Sequence, residues 1–97
     1  MNDYIFFMHN DANAVESDDA WERYLEKLRS TGRFAGGSSI GRGVCVAKSR
    51  QPAGITSHVS GYLRVRAETL EAAKELLQGN PVFEAGGTVE IRELPRQ

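Results

Sequence analysis

A single cysteine, Cys45, stands in a chain of 97 residues. It can close no internal disulfide, and no His or second Cys lies near it to make a reactive thiolate or a metal site. It therefore reads as a small apolar side chain in a protein of a reducing compartment. A basic excess is missing as well. The 12 Lys and Arg stand against 13 Asp and Glu, which argues against a surface built to neutralise the phosphates of nucleic acid or of an anionic membrane. The longest purely apolar run, Ile5-Phe6-Phe7-Met8, is far shorter than the ~20 residues that cross a bilayer. No basic start leads into an apolar run and a cleavage site, so no signal peptide is read and a cytoplasmic location is expected. The length predicts one domain over residues 1–97. A chain this short buries only roughly 60–70% of the surface it exposes when unfolded, which favours association with a second copy.

What is present begins with Tyr4-Ile5-Phe6-Phe7-Met8-His9. It is apolar throughout and too short for a helix, and predicts a buried central strand. After a polar loop from Asn10 to Ser17, Asp19 and Glu22 have the spacing of a capping box, with Asp18 also favouring a helix start. Trp21, Tyr24, Leu25 and Leu28 then form one apolar stripe, and Gly32 supplies the stop. Arg33-Phe34-Ala35-Gly36-Gly37 reads as a short strand ending in a glycine bend, and Gly43-Val44-Cys45-Val46-Ala47 as a further strand or hairpin arm. Pro52, Gly54 and several polar residues between Lys48 and Ser60 indicate an exposed loop. From Gly61, Leu63 and Val65 alternate with Tyr62, Arg64 and Arg66, the period of a half-buried strand. Thr69 is placed to cap a second helix whose apolar face is Leu70, Ala73, Leu76 and Leu77, ended by Gly79 and Pro81. Val89 and Ile91 alternate with Glu90 and Arg92 in a last strand, closed by Pro95.

The resulting order, β-α-β(β)-β-α-β, places two amphipathic helices over one face of a mainly antiparallel sheet. That is an α+β, ferredoxin-like βαββαβ plait. The opposite sheet face is left open, lined by Tyr62, Arg64, Arg66, Glu90, Arg92 and aromatic residues of the first strand. Closure of that face by a second copy predicts a symmetric homodimer.

Three segments carry a family resemblance: Ile5-Phe6-Phe7-Met8-His9-Asn10-Asp11, Leu25 to Phe34-Ala35-Gly36-Gly37, and Leu70-Glu71-Ala72-Ala73-Lys74 with Asn80-Pro81-Val82-Phe83-Glu84-Ala85-Gly86 and the closing strand. Over about two thirds of its length the chain resembles the YCII-related family of small dimeric α+β barrel proteins. The resemblance implies that fold, a dimer, and an active-site pair of a helix His with an Asp at the end of the first strand. Asp11 matches the Asp. Tyr24 stands where the family has its His, Asn80 where it often has an Asp before Pro, and the related subgroup's Asp-Gly-Pro-Phe motif is absent.

The candidate chemistry is therefore built from replacements. His9 and Asp11, two apart, share one side of a regular strand, and a His with a carboxylate beside it is a general base near neutral pH. The plainer reading is a solvated strand end and a turn. Tyr24 is either a core residue of the helix stripe or a pocket hydrogen-bond donor in place of the His. His58 is either a surface loop residue or the imidazole that swings over the open face. Arg64, with Tyr62 and Arg92, makes an anion clamp unless Glu90 neutralises it. The glycine-rich run Gly36 to Gly43 lacks a Gly-Lys-Ser/Thr ending and a following helix, so it is a turn and not a phosphate loop. No spacing supports a zinc site, and neither metal nor cofactor is expected. The expected function is binding of a small anionic metabolite in a cleft at the open face of the dimer. The alternatives are a small-metabolite hydrolase, lyase or isomerase using Asp11 with His9 or His58 as acid and base, or a regulatory module without a ligand.

Overall fold

The computed structural model describes residues 1–96. Strand β1 (Asn2–His9) leads into helix α1 (Asp18–Ser30) and strand β2 (Phe34–Ser39), followed by an irregular stretch and strand β3 (Val59–Ala67). Helix α2 (Leu70–Glu75), a short helix α3 (Pro81–Glu84) and strand β4 (Val89–Leu94) complete the order. The sheet runs β2-β3-β1-β4, and every neighbouring pair is antiparallel. Two split β-α-β units thus interleave, which is the ferredoxin-like arrangement expected.

The predicted alternation of β3 is met in full. Gly61, Leu63, Val65 and Ala67 are buried, while Arg64 and Arg66 are exposed. Strand β1 is central, but its apolar run is buried on one face only. Tyr4, Phe6 and Met8 point into the core, and Ile5, Phe7 and His9 are half-buried on the other side. The core fills the space between the inner sheet face and the helices: Tyr4, Phe6, Met8, Leu63, Val65 and Ala67 meet Tyr24 and Leu28 of α1 and Ala73, Leu77 and Val82 beyond β3.

Local chemistry differs from expectation at four places. The α1 cap is Ser17, whose Oγ accepts from the Ala20 N–H at 3.0 Å, and not Asp19. Both Asp18 and Asp19 lie inside the first turn, where their charge favours the positive helix end. Gly43–Ala47 forms no strand. The stretch from residue 40 to 58 pairs with no neighbour as a ladder, and Val44 and Val46 are exposed. Leu70, expected on the inner face of α2, is 49% exposed because the helix is only six residues long and packs through Ala73. Pro81 does not merely end α2; it opens α3, where a proline costs nothing at the first position because that N–H has no helical partner.

Asn80 is what makes that second start work. It is fully buried, and its Oδ1 accepts from the Phe83 N–H at 3.1 Å, capping α3. Its own N–H bonds Leu77 O at 2.9 Å, tying the turn after α2 to the start of α3. Asn80→Ala is expected to lower stability by about 1–2 kcal/mol through the lost cap, with Asn80→Ser recovering part of it. Urea unfolding of the two variants checks this, and equal losses would place the contribution elsewhere than in the cap.

Candidate functional site

With α1 and α2 on one side, the outer face of the sheet carries its residues in register. Arg64 and Arg92 lie on either side of Ile5, and Tyr62 and Glu90 on either side of Phe7. Asp3 faces Arg66 one row further along. Neighbouring strands sit about 5 Å apart, so each row presents three adjacent side chains.

The charges on this face are not equally engaged. Asp3 holds Arg66 at 3.7 Å and Arg96 at 3.6 Å. Arg92 Nη1 reaches Glu90 Oε2 at 3.2 Å. Among the described residues Arg64 has no such partner, and the alternative pairing with Glu90 is not made within the chain. Glu90 goes instead to Arg92 on its own strand and to His9 on the neighbouring one, where His9 Nε2 and Glu90 Oε1 are 3.1 Å apart. These two hydrogen bonds, the His9 one first, hold the Glu90 carboxyl below its usual range.

Asp11 bonds Thr88 and not His9, as the plainer turn reading allowed. Its Oδ1 accepts from the Thr88 N–H at 2.8 Å and its Oδ2 from the Thr88 hydroxyl at 2.7 Å. Those bonds lower its pKa, the hydroxyl bond most, with His9 contributing only a smaller charge effect. The carboxylate thus fastens the loop after β1 to the entry of β4, and the imidazole of His9 bonds Glu90 in its place. Tyr24 lies on the other side of the sheet from Tyr62, Arg64 and Arg92. It is 2% exposed, and its hydroxyl donates to Leu76 O at 2.7 Å, so core packing is what the fold gives it.

His58 is brought to His9. The rings meet edge to face with centroids 4.8 Å apart. Two hydrogen bonds fix the segment that carries it: Asn10 N–H to His58 O at 2.9 Å and Asn10 Nδ2 to Ser57 O at 2.9 Å. The β1–β3 register shifts at this point, with Met8 opposite Gly61 and His9 opposite Val59. One extra residue, Ser60, is accommodated there, and such a bulge bends a strand and re-aims its side chains. His9, His58 and Glu90 consequently form a group whose ligating atoms all lie within 4.8 Å of one another. A broad cavity of about 970 Å³ opens beside them, lined by Phe7, Ile40, Arg42, Cys45, Ile55, His58 and Glu90 among others. Sequence reasoning placed His9 and His58 as candidates but missed Glu90 as their partner. The available signal was the period-two alternation that puts Glu90 on the outer face with Arg92.

No protein-family model matches the sequence, and no curated protein does so either. Among solved structures the chain is similar to the 5-chloro-2-hydroxyhydroquinone dehydrochlorinase of Burkholderia phenoliruptrix, in its complex with 2,5-dihydroxybenzoquinone. The likeness has a TM-score of 0.54 at 15% identity and covers 100% of this chain and 96% of that one. At that identity what is shared is the fold: a four-stranded antiparallel sheet with its helices on one face.

Proposed function

We propose that the protein is a YCII-like homodimer that binds a small anionic metabolite in a cleft closed over the open sheet face. The observation that carries the reading is Arg64, an exposed guanidinium on that face with no carboxylate partner among the described residues, in a row with Arg92 across Ile5. Arginine offers a planar pair of donors to a carboxylate or phosphate, and the aromatic residues Tyr62 and Phe7 in the next row supply apolar contact for the remainder of a small molecule. In a single copy the loop after β2 walls this face only at its Phe7–Glu90 end, so closing a cleft over Arg64 needs the second copy. The ligand of the fold neighbour, a small ring compound with acidic enolic hydroxyls, is of a kind such a cleft would accept.

The test is a thermal-shift titration of the full chain with inorganic phosphate, a dicarboxylate and a hydroxybenzoate, with light scattering on the same samples. Binding to the native state raises the melting temperature by mass action. The expected result is a dimer at micromolar concentration and at least one anion whose affinity falls ~10-fold or more in Arg64→Ala, the loss of a charge-assisted hydrogen bond. Arg64 is exposed, so the variant keeps its fold. A clean monomer, or equal binding by Arg64→Ala, would overturn the proposal. An acid/base enzyme is the second reading, favoured by the His9–Glu90 hydrogen bond. A carboxylate beside an imidazole readies it for proton transfer, and Glu90 fills the role foreseen for Asp11.

A further inference from the structure

We propose that His9, His58 and Glu90 bind one divalent first-row transition-metal ion. The site goes beyond the anion cleft and stands independently of it. Two imidazoles and a carboxylate form a nitrogen- and oxygen-rich set suited to Zn²⁺, Co²⁺, Ni²⁺ or Fe²⁺, whereas Mg²⁺ and Ca²⁺ prefer sets made of oxygen alone.

The geometry is close to what such an ion requires. Metal–ligand bonds of ~2.0–2.2 Å put ligand atoms roughly 3–4 Å from one another. His9 Nε2 and Glu90 Oε1 are already 3.1 Å apart, and no pair in the group exceeds 4.8 Å. His58 has only to turn its ring, since its backbone is anchored through Asn10. The carboxylate is oriented as well: Arg92 holds Glu90 Oε2 at 3.2 Å and leaves Oε1 on the His9 side. Hydrogen bonds of this kind fix a ligand before the metal arrives.

The burial pattern fits the same use. His9 and Glu90 are half-buried at 19% and 35% side-chain exposure, while His58 is exposed at the mouth of the neighbouring cavity. Three protein ligands would leave at least one coordination position free, and the cavity beside His58 and Glu90 has room for what fills it. Open coordination of this type receives water or an anionic ligand, in contrast to closed structural sites with four protein ligands. The β-bulge at Ser60 is what brings His58 beside His9 and so assembles the group from three separate strand ends.

The test uses the untagged full chain and the metal alone. Co²⁺ is titrated while its visible ligand-field absorption is followed, and Zn²⁺ affinity is measured against a chromogenic chelator. The expected result is one ion per chain, Co²⁺ displaced by Zn²⁺, and an affinity reduced at least ~10-fold by His58→Ala and by Glu90→Gln. His58→Ala changes an exposed side chain, and an unchanged circular dichroism spectrum shows that the fold is kept. Cys45→Ser is expected to bind as the wild type does, which separates the group from adventitious capture by the thiol. No saturation at one equivalent, or wild-type affinity in both His58→Ala and Glu90→Gln, would overturn the site. Neither result touches the anion reading at Arg64, because no anion is varied in the titration.

Discussion

Replacing Phe6 with alanine is expected to remove about 3–5 kcal/mol of folding stability, the usual loss when a large buried aromatic side chain is deleted. A domain of this size has only about 5–15 kcal/mol in total, so the variant should sit at the edge of unfolding at room temperature. The reason lies in its position. Phe6 is fully buried at the middle of the central strand, opposite Leu63 on one side and Ile91 on the other. Neither neighbouring strand can move in to fill the hole without breaking its ladder with β1. Phe7→Ala removes the same atoms from the other sheet face, where the ring is only half-buried. Its cost should be less than half as large at low protein concentration. Urea unfolding of both variants makes the comparison, and equal midpoints would contradict the assignment of faces.

That pair of phenylalanines also marks how far the sequence could be read. The run Ile5-Phe6-Phe7-Met8 announces a strand in the centre of a sheet, yet it has no alternation and so does not tell which side is inside. Leu63 and Val65, alternating with arginines, do tell, and β3 came out as expected. The segment Gly43–Ala47 failed for a related reason. Its valines have the composition of a strand, but a strand exists only through a partner, and this stretch pairs with neither edge of the sheet, β2 nor β4. Val44 and Val46 are left 80% and 85% exposed.

The candidate site was less legible than the fold because its contacts are long-range. His9 and Asp11 are neighbours in sequence, and proximity alone made them a pair. In the folded chain each takes a partner from the other end: Glu90 for His9, and Thr88, 77 residues away, for Asp11. Both choices follow from β1 lying beside β4; the expected plait implies that neighbourhood, but not the register that decides which side chains meet across it. The meeting of His58 with His9 depends further on a one-residue bulge. Tyr24 is the opposite case. Its place on the apolar stripe of α1 already pointed to the core, and the stripe was the better guide than the family position.

The burial of Tyr24 leads to a second large effect, on stability at alkaline pH. Removal from water pushes its phenol up to about 12 from the ordinary 10.0, and the nearby Asn80 side chain offsets this only in small part. A group whose pKa is raised by folding contributes stability that is complete below the unfolded-state pKa. That contribution is then lost as the pH climbs through the folded-state value. The window is therefore pH 10 to 12, and across it the wild type loses roughly 3 kcal/mol of stability. Tyr24→Phe cannot titrate, but it leaves Leu76 O without its 2.7 Å donor. It should accordingly be about 1 kcal/mol less stable than the wild type at pH 8. Above pH 10 the wild type loses its advantage while this contribution stays constant in the variant, so the two curves should cross near pH ~11. Urea unfolding of both proteins at pH 8, 10 and 11.5 reads the difference directly, and the other tyrosines and the lysines cancel because both proteins carry them. Parallel curves across that range would mean that the phenolate of Tyr24 is tolerated in the folded core. The hydroxyl would then have to reach water, which its hydrogen bond to Leu76 O and its 2% exposure both oppose.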